Sequence, residues 1–360
     1  MWLYWLLFIV PAIQSLSNPV KVNPFKVVEK WTISWQSLFL VLTLIIGMRH
    51  QVGGDWGNYL ANLQDISILT FAEAVKTLHA DPTDHFLNWF ASFLGLGIYF
   101  VNSIYALFFT WGLLVFCRGQ PQPWLAVTVS VPYLITVVAM GYSRQSVAIG
   151  LAMLGLVALE NKRIFKFLLF IVLASSIHKS AIILVPLAAL TITRQRMLMF
   201  LLICATAILL FWLLLQEYIE SLTMNYIDAK YESSGAWIRI AMNALPATLF
   251  LLTRKRFQLT SAQQSFWTWM SCSAIAFVGI LYISPSSTAV DRVALYWIPL
   301  QLFVWSRFPD AMGRSRVAKI GWIFAVVCYC AAVHFVWLFF ADNASSWLPY
   351  KFYPLVWLWQ

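Results

Sequence analysis

Long apolar runs separated by short polar clusters organise this chain. Runs of near-spanning length fall at about residues 1–16, 32–48, 98–117, 123–141, 143–160, 164–177, 178–192, 197–215, 236–252, 265–283, 292–306 and 319–341. About 20 apolar residues carry a helix across a hydrocarbon core of roughly 30 Å, so the pattern predicts twelve candidate membrane helices, several of them short. The runs lack period-2 alternation, which argues for helices that satisfy their own backbone groups and against an outer-membrane barrel. Between the second and third runs, a polar stretch from Arg49 to Asp84 leads into DHFLNWFASFL, too short to span and predicted as a re-entrant or interfacial helix. The opening MWLYWLLFIVPAIQSL has no basic flank and no small-residue cleavage site, so it reads as a retained first helix.

Composition agrees with this pattern. With 61% hydrophobic and 11% charged residues and a mean hydropathy of +0.76, a chain of 360 residues cannot bury its apolar surface in a water-soluble globule. The fold class predicted is an all-α polytopic membrane protein forming one transmembrane domain over residues 1–360. No internal repeat, low-complexity tract or soluble domain interrupts it. The five cysteines lie in or beside apolar segments, so neither a disulfide nor a zinc site is expected.

The net charge of +10 would suit nucleic acid only if it were concentrated, and it is scattered in short clusters between apolar runs. Twelve spans alternate the connecting loops between two sides. One side receives Lys21, Lys26, Lys30, Arg118, Lys162, Arg163, Lys166, Arg194, Arg196, Arg254, Lys255, Arg256, Arg307, Arg314, Arg316 and Lys319. The remaining eight basic residues, and all the acids except Glu29, Glu160 and Asp310, fall on the other side. The basic side is predicted to be cytoplasmic, which places both termini outside, in the periplasm. The external segments are then 49–84, the acidic loop 216–235 and a Trp-rich tail over 341–360.

Ionisable groups at the outer helix ends are costly to bury unless function or pairing explains them. Four places stand out. Arg49 ends the second run and is followed by GGDWGNY, with Asp55, Trp56 and Tyr59; Arg144 opens a helix in GYSRQSVAIG; His178 and Lys179 sit at the break in SSIHKSAIILVP; Asp291 and Arg292 open a helix in AVDRVALYW, with Tyr296 one turn on. Three of the four are predicted helix N-termini, where free N–H groups and the positive dipole end favour an anion. Guanidinium forks grip phosphate in bidentate fashion without losing a proton, so Arg49, Arg144 and Arg292 suit a pyrophosphate. Each residue also has a plainer reading. Arginines at helix ends snorkel or form ion pairs, a lone histidine at a break is commonly structural, Asp55 could pair with Arg49, Gly53-Gly54 could be a turn, and aromatic residues near helix ends form interface belts.

These residues carry a family likeness. R…GGDWxxY, then D-H-F-L before a helix, RQSVAIGLAML, a break at HKSA and DRVALYW resemble the EpsG-type branch of Wzy-like polysaccharide polymerases over about residues 40–300. The first helix, the 216–235 loop and the tail lie outside that likeness. The resemblance implies a GT-C-like glycosyltransferase that joins undecaprenyl-pyrophosphate-linked oligosaccharide repeat units at the periplasmic face of the inner membrane, toward an O-antigen, capsule or exopolysaccharide. It also implies a flippase that delivers the units, with a chain-length regulator as a further partner. The leaving lipid pyrophosphate needs fixed positive charge, expected from Arg144, Arg292 and Arg49, while His178 or Asp55 would take the attacking hydroxyl's proton. His178 is favoured for an ordinary pKa suited to periplasmic pH. Trp56, Tyr59, Asp291, Tyr296 and Lys179 complete the expected substrate contacts. The chain contains no D-x-D, so a metal held by paired carboxylates is not supported, no cofactor is expected and a single inverting displacement is. A glycan ligase using the same chemistry and a flippase are the rivals. A flippase would place its polar groups near the midplane and carry inverted repeats.

Overall fold

The structure, a computed structural model, describes residues 1–17, 31–76, 81–191 and 235–358, together with 201, 205, 208 and 233. Among them it is helical, without a strand; Arg49 and Phe352 form an isolated bridge. The elements are α1 (Trp2–Ser17), α2 (Ile33–Gly47), α3 (Trp56–Ser67), α4 (Phe71–Lys76), α5 (Pro82–Phe93), α6 (Gly97–Arg118), α7 (Pro123–Ser130), α8 (Ser143–Glu160), α9 (Ile164–Ile177), α10 (Ala236–Thr253), α11 (Ser261–Ile283), α12 (Ser287–Ala294), α13 (Ile298–Met312), α14 (Arg316–Phe340) and α15 (Tyr353–Leu358). The run predicted at 197–215 and nearly all of the 216–235 loop lie outside the described residues.

Four described helices, Gly97–Arg118, Ala236–Arg256, Ser261–Ile283 and Arg316–Phe340, are long and apolar enough to cross a membrane. Trp2–Ser17, Ile33–Gly47, Pro123–Ala139 and Ile164–Ile177 are shorter apolar helices. Local chemistry sets several boundaries. Thr260 and Gln263 close a capping box on α11, and the Ser286 and Ser315 hydroxyls accept from backbone N–H groups of α12 and α14. Pro132 has no N–H to donate, and α7 continues as a π-helix over Val131–Ala139. The predicted run at 178–192 is a 3-10 segment, Lys179–Thr191, with Pro186 inside it. The polar stretch after Arg49 holds two helices, α3 and α4, that hydrophobic runs alone did not signal.

Helix α8 is the centre of the bundle, packed between α6 and α9. Its approach to α6 depends on two glycines. A Cβ on Gly112 would stand 1.9 Å from the Gly150 carbonyl oxygen, and one on Gly150 would stand 2.7 Å from Phe109 Cα. In lipid, where hydrophobic contrast between helices is absent, such close backbone contact is a main source of association.

The contacts sort into two ends. Arg307 with Gln120, Gln122 with Asp310, and Lys319 with Asp310 lie at one; Arg144 with Asp81 and Asp84, Arg292 with Asp55, and Arg239 with Asp291 lie at the other. Each ion pair among the described residues joins groups that the charge count put on the same side.

Candidate active site

The end that carries Arg144 is built on a fully buried arginine. Arg49 Nε donates to the Met140 carbonyl (2.8 Å), Nη1 to the Ile46 carbonyl (2.6 Å), and Nη2 to Ser143 Oγ (2.6 Å) and Asn102 Oδ1 (3.2 Å). A longer bond from Nε reaches the Val52 carbonyl (3.3 Å), and the residue, only 1% exposed, clamps α2, α6 and the start of α8. Arg49 accordingly leaves the set of expected pyrophosphate ligands. Local sequence does not reveal this because three of its five partners, Asn102, Met140 and Ser143, come from distant segments. Gly53 works with the clamp: its φ is +103°, and a Cβ there would stand 2.3 Å from the Met140 carbonyl oxygen, so the glycine is needed for more than a turn.

The tail closes the same floor. Gly53 N–H donates to the Ser346 carbonyl (2.9 Å), His50 N–H to the Lys351 carbonyl (2.9 Å) and Tyr353 N–H to the Met48 carbonyl (2.8 Å). Trp347 lies on Gly141, where a Cβ would meet its ring at 2.1 Å, and the Trp347 carbonyl accepts from the Tyr4 hydroxyl (2.7 Å).

With the floor fixed, Arg144 projects from the first turn of α8. Its Nη1 stands 3.0 Å from Asp81 Oδ2 and 3.5 Å from Asp84 Oδ2, and its guanidinium lies 5.8 Å from the Tyr59 ring centre. Asp84 is locked: its Oδ1 accepts from Asn88 Nδ2 (3.0 Å) and from the Tyr105 hydroxyl (2.5 Å). Helix α5 makes this possible by being amphipathic. Asp84, Asn88 and Ala91 are buried on one face, while Phe86, Phe90 and Phe93 are exposed on the other. Asp81, just before Pro82 at the start of α5, is pushed up to about 6. Burial is the largest cause, opposed by Arg144 and Lys179 and reinforced by Asp84.

On the facing side, Arg292 lies 4.0 Å from the Tyr142 ring centre and its Nη2 is 3.9 Å from Asp55 Oδ2. Gln145 of α8 donates to the Arg292 carbonyl (2.6 Å), which ties the two arginine-bearing elements together. Asp55 pairs here with Arg292. Burial raises its carboxyl pKa, while Arg292 and Arg144 lower it. Asp291 and Arg292 do not open a helix. They occupy the last turn of α12, because Ser286 caps that helix at Ser287, and a 3-10 turn over Leu295–Trp297 follows. The dipole argument thus applies to Arg144 and not to Arg292.

His178 ends α9 at the turn into the 3-10 segment. Its Nδ1 is 2.8 Å from Ser180 Oγ, which donates to the Tyr296 hydroxyl at 3.4 Å. Burial, then Arg144 and Arg292, push its pKa down to about 3. The imidazole is neutral across the physiological range, and the ordinary pKa that favoured it as the base does not apply. Because both arginines act on His178 and on Asp55, side chains from all four predicted places converge on one neighbourhood, with Arg49 itself beneath as support.

Of the other expected contacts, Tyr59 lies against Arg144 and Lys179 is buried next to Asp81. Trp56 is buried against His50 and Tyr99, Tyr296 is buried behind Ser180, and Asp291 is held by Arg239 Nε (2.8 Å) and Ser233 Oγ (3.2 Å). Asp81, Asp84, Tyr105, Asn88 and Arg239 were not singled out from the sequence. The spacing of Asp84, Asn88 and Ala91 on one helix face was a usable signal for the first group, whereas Arg239 is hidden inside an apolar run.

An all-α membrane protein with two arginine–carboxylate groups and a histidine gathered at one end of its bundle has the makings of a site for an anionic lipid-linked substrate. The EpsG family's sequence model matches residues 32–352, so the chain belongs to the EpsG family, a Wzy-like polysaccharide polymerase family. The match includes the 216–235 loop and the tail as far as Phe352, both of which the likeness read from the motifs had left out. No curated protein and no solved structure matches the chain.

Proposed function

We propose that this protein joins undecaprenyl-pyrophosphate-linked oligosaccharide repeat units into a polysaccharide at the periplasmic face of the bacterial inner membrane. The observation that carries the reading is the convergence of Arg144, Arg292, Asp55 and His178 at one end of the bundle, in a chain of this family. The positive-inside bias makes that end the outer one and puts both termini outside. Twelve spans and a GT-C-like architecture accommodate the described helices.

The growing glycan on its lipid pyrophosphate is the donor, and a hydroxyl of the next lipid-linked unit is the nucleophile. As the anomeric C–O bond breaks, negative charge grows on the leaving pyrophosphate and is met by Arg144, aided by the start of α8, and by Arg292. A single displacement inverts the anomeric centre and needs no metal. Neutral His178 orients the acceptor sugar by hydrogen bonding. A flippase supplies the units, and a regulator sets chain length.

Purified protein in vesicles with lipid-linked repeat units should lengthen the glycan without a flippase. Arg144→Ala should abolish polymer while inserting normally, and wild-type chain lengths in that variant would remove Arg144 from the reaction. Deletion in cells should leave single repeats on the surface. Full-length polymer stranded on the lipid carrier would instead identify a ligase.

A further inference from the structure

The reaction needs a proton acceptor, and the cluster offers three carboxylates with different surroundings. Asp84 is fixed by two hydrogen bonds on Oδ1, with Arg144 opposite Oδ2. Its Oδ1 is committed to those two donors. Asp55 faces Arg292 at 3.9 Å, across from Arg144's own carboxylates. Asp81 differs from both. Its Oδ2 meets Arg144 at 3.0 Å, and its buried Oδ1 lacks a hydrogen bond of good geometry; the Lys179 backbone N–H is directed at the carboxylate and the Lys179 charge acts on it.

We infer that Asp81 is the general base that takes the proton of the attacking sugar hydroxyl, with Arg144 holding it in check until a substrate phosphate arrives. This rests on the polymerase reading. Two carboxylates share one guanidinium here, so the trio carries one net negative charge. When phosphate oxygens engage Arg144, the two aspartates lose part of their common counter-charge. Asp84 is still held by Asn88 and Tyr105, so the uncompensated repulsion falls on Asp81 and increases its proton affinity. Binding thereby strengthens the base at the moment it is required.

The step balances. The acceptor O–H proton passes to a carboxylate oxygen of Asp81, and the acceptor oxygen forms a bond to the anomeric carbon. The bond from that carbon to the pyrophosphate oxygen breaks, and its electron pair leaves with the lipid pyrophosphate. Asp81 then releases its proton to water. The charged or titratable groups that act on Asp81 are Arg144 from α8, Asp84 from α5 and Lys179 from the 3-10 segment, with the Tyr296 hydroxyl behind them. A carboxyl pushed up to about 6 has an affinity near the working pH, where a base is most effective.

The test uses the full-length protein in vesicles with lipid-linked repeat units, and follows kcat, KM and their pH profiles. Wild type should show an acid limb near pH 6 in kcat/KM. Asp81→Asn should lower kcat by about 10²–10⁴-fold with KM little changed, and should lose the limb. Asp84→Asn removes the like charge, so the limb should move to lower pH. An Asp81→Asn protein with wild-type kcat, or one that is slow yet keeps the limb, overturns the assignment. Should that variant fail to fold by size-exclusion profile, the Asp84→Asn limb decides, and a limb that stays in place overturns it. If the wild-type protein does not lengthen glycan at all, the polymerase reading itself falls. If Arg144→Ala is dead while Asp81→Asn is unaffected, that reading stands and the base lies elsewhere.

Discussion

Replacing Arg49 by methionine separates a structural arginine from a ligand. The side chain keeps comparable apolar bulk but removes a guanidinium that donates to Met140, Ile46, Ser143 and Asn102, all buried partners. A buried acceptor left unpaired costs about 1–3 kcal/mol. Five acceptors in one network, the Val52 carbonyl at 3.3 Å being the most distant, do not add fully, and the Ser143 hydroxyl and Asn102 amide can re-pair locally at 3.4 Å. The two closest carbonyls, those of Met140 and Ile46, then dominate, for a loss of about 2–6 kcal/mol, a large part of the ~5–15 kcal/mol margin of a folded protein. Thermal unfolding of detergent-purified protein should show a clearly lowered midpoint and poor yield. At a temperature where the variant remains folded, KM for lipid-linked substrate should stay within about threefold of wild type, because a group that does not touch substrate changes binding by less than about 0.7 kcal/mol. A stable Arg49→Met protein with a sharply raised KM would refute the clamp and return Arg49 to the phosphate site.

Three further outcomes follow from the same geometry. Arg144→Lys should retain insertion and a small residual activity, with transfer lowered about 10²-fold or more in the vesicle assay, because an ammonium can meet Asp81 and Asp84 as Nη1 does but cannot offer phosphate the paired donors of a guanidinium. The folded-state pKa of Asp81 lies above its unfolded value of 3.8, so its contribution is present at low pH and is lost as pH rises toward about 6. The unfolding midpoint of wild type minus that of Asp81→Asn should therefore grow as pH falls from about 6 to 4, and a flat difference would contradict the shift. Gly141→Ala should displace Trp347, whose ring stands 2.1 Å from the added Cβ, and protease sensitivity after residue 341 should rise sharply relative to wild type.

Much of the fold was legible because bilayer physics leaves few choices. The apolar runs located α1, α2, α6, α8 and α14 to within a few residues, and the charge bias separated the same two groups of residues that the ion pairs join. The site was legible where a charged residue opened a helix at an outer end, as Arg144 does. It was misjudged where a tertiary partner decided the role: Arg49 is consumed by carbonyls of α2 and of the turn before α8, and Ser286 moves the start of α12 upstream of Asp291. Asp84 stands in the D-H-F-L motif, but nothing in the long apolar runs marks it or Asp81 as partners of Arg144. The twelve-residue α5 carries its polar face in only a few positions.

The strap formed by residues 346–353 sets an order of assembly. A membrane protein is threaded into the bilayer from its first helix onward, yet the turn after Arg49 is pinned by backbone bonds to Ser346 and Lys351, and Tyr4 waits for the carbonyl of Trp347. Segments 343 residues apart in the chain therefore meet at the arginine-bearing end of the bundle. A chain interrupted before residue 346 would carry Arg49, Arg144 and Arg292 and still lack part of the surface on which they are arranged.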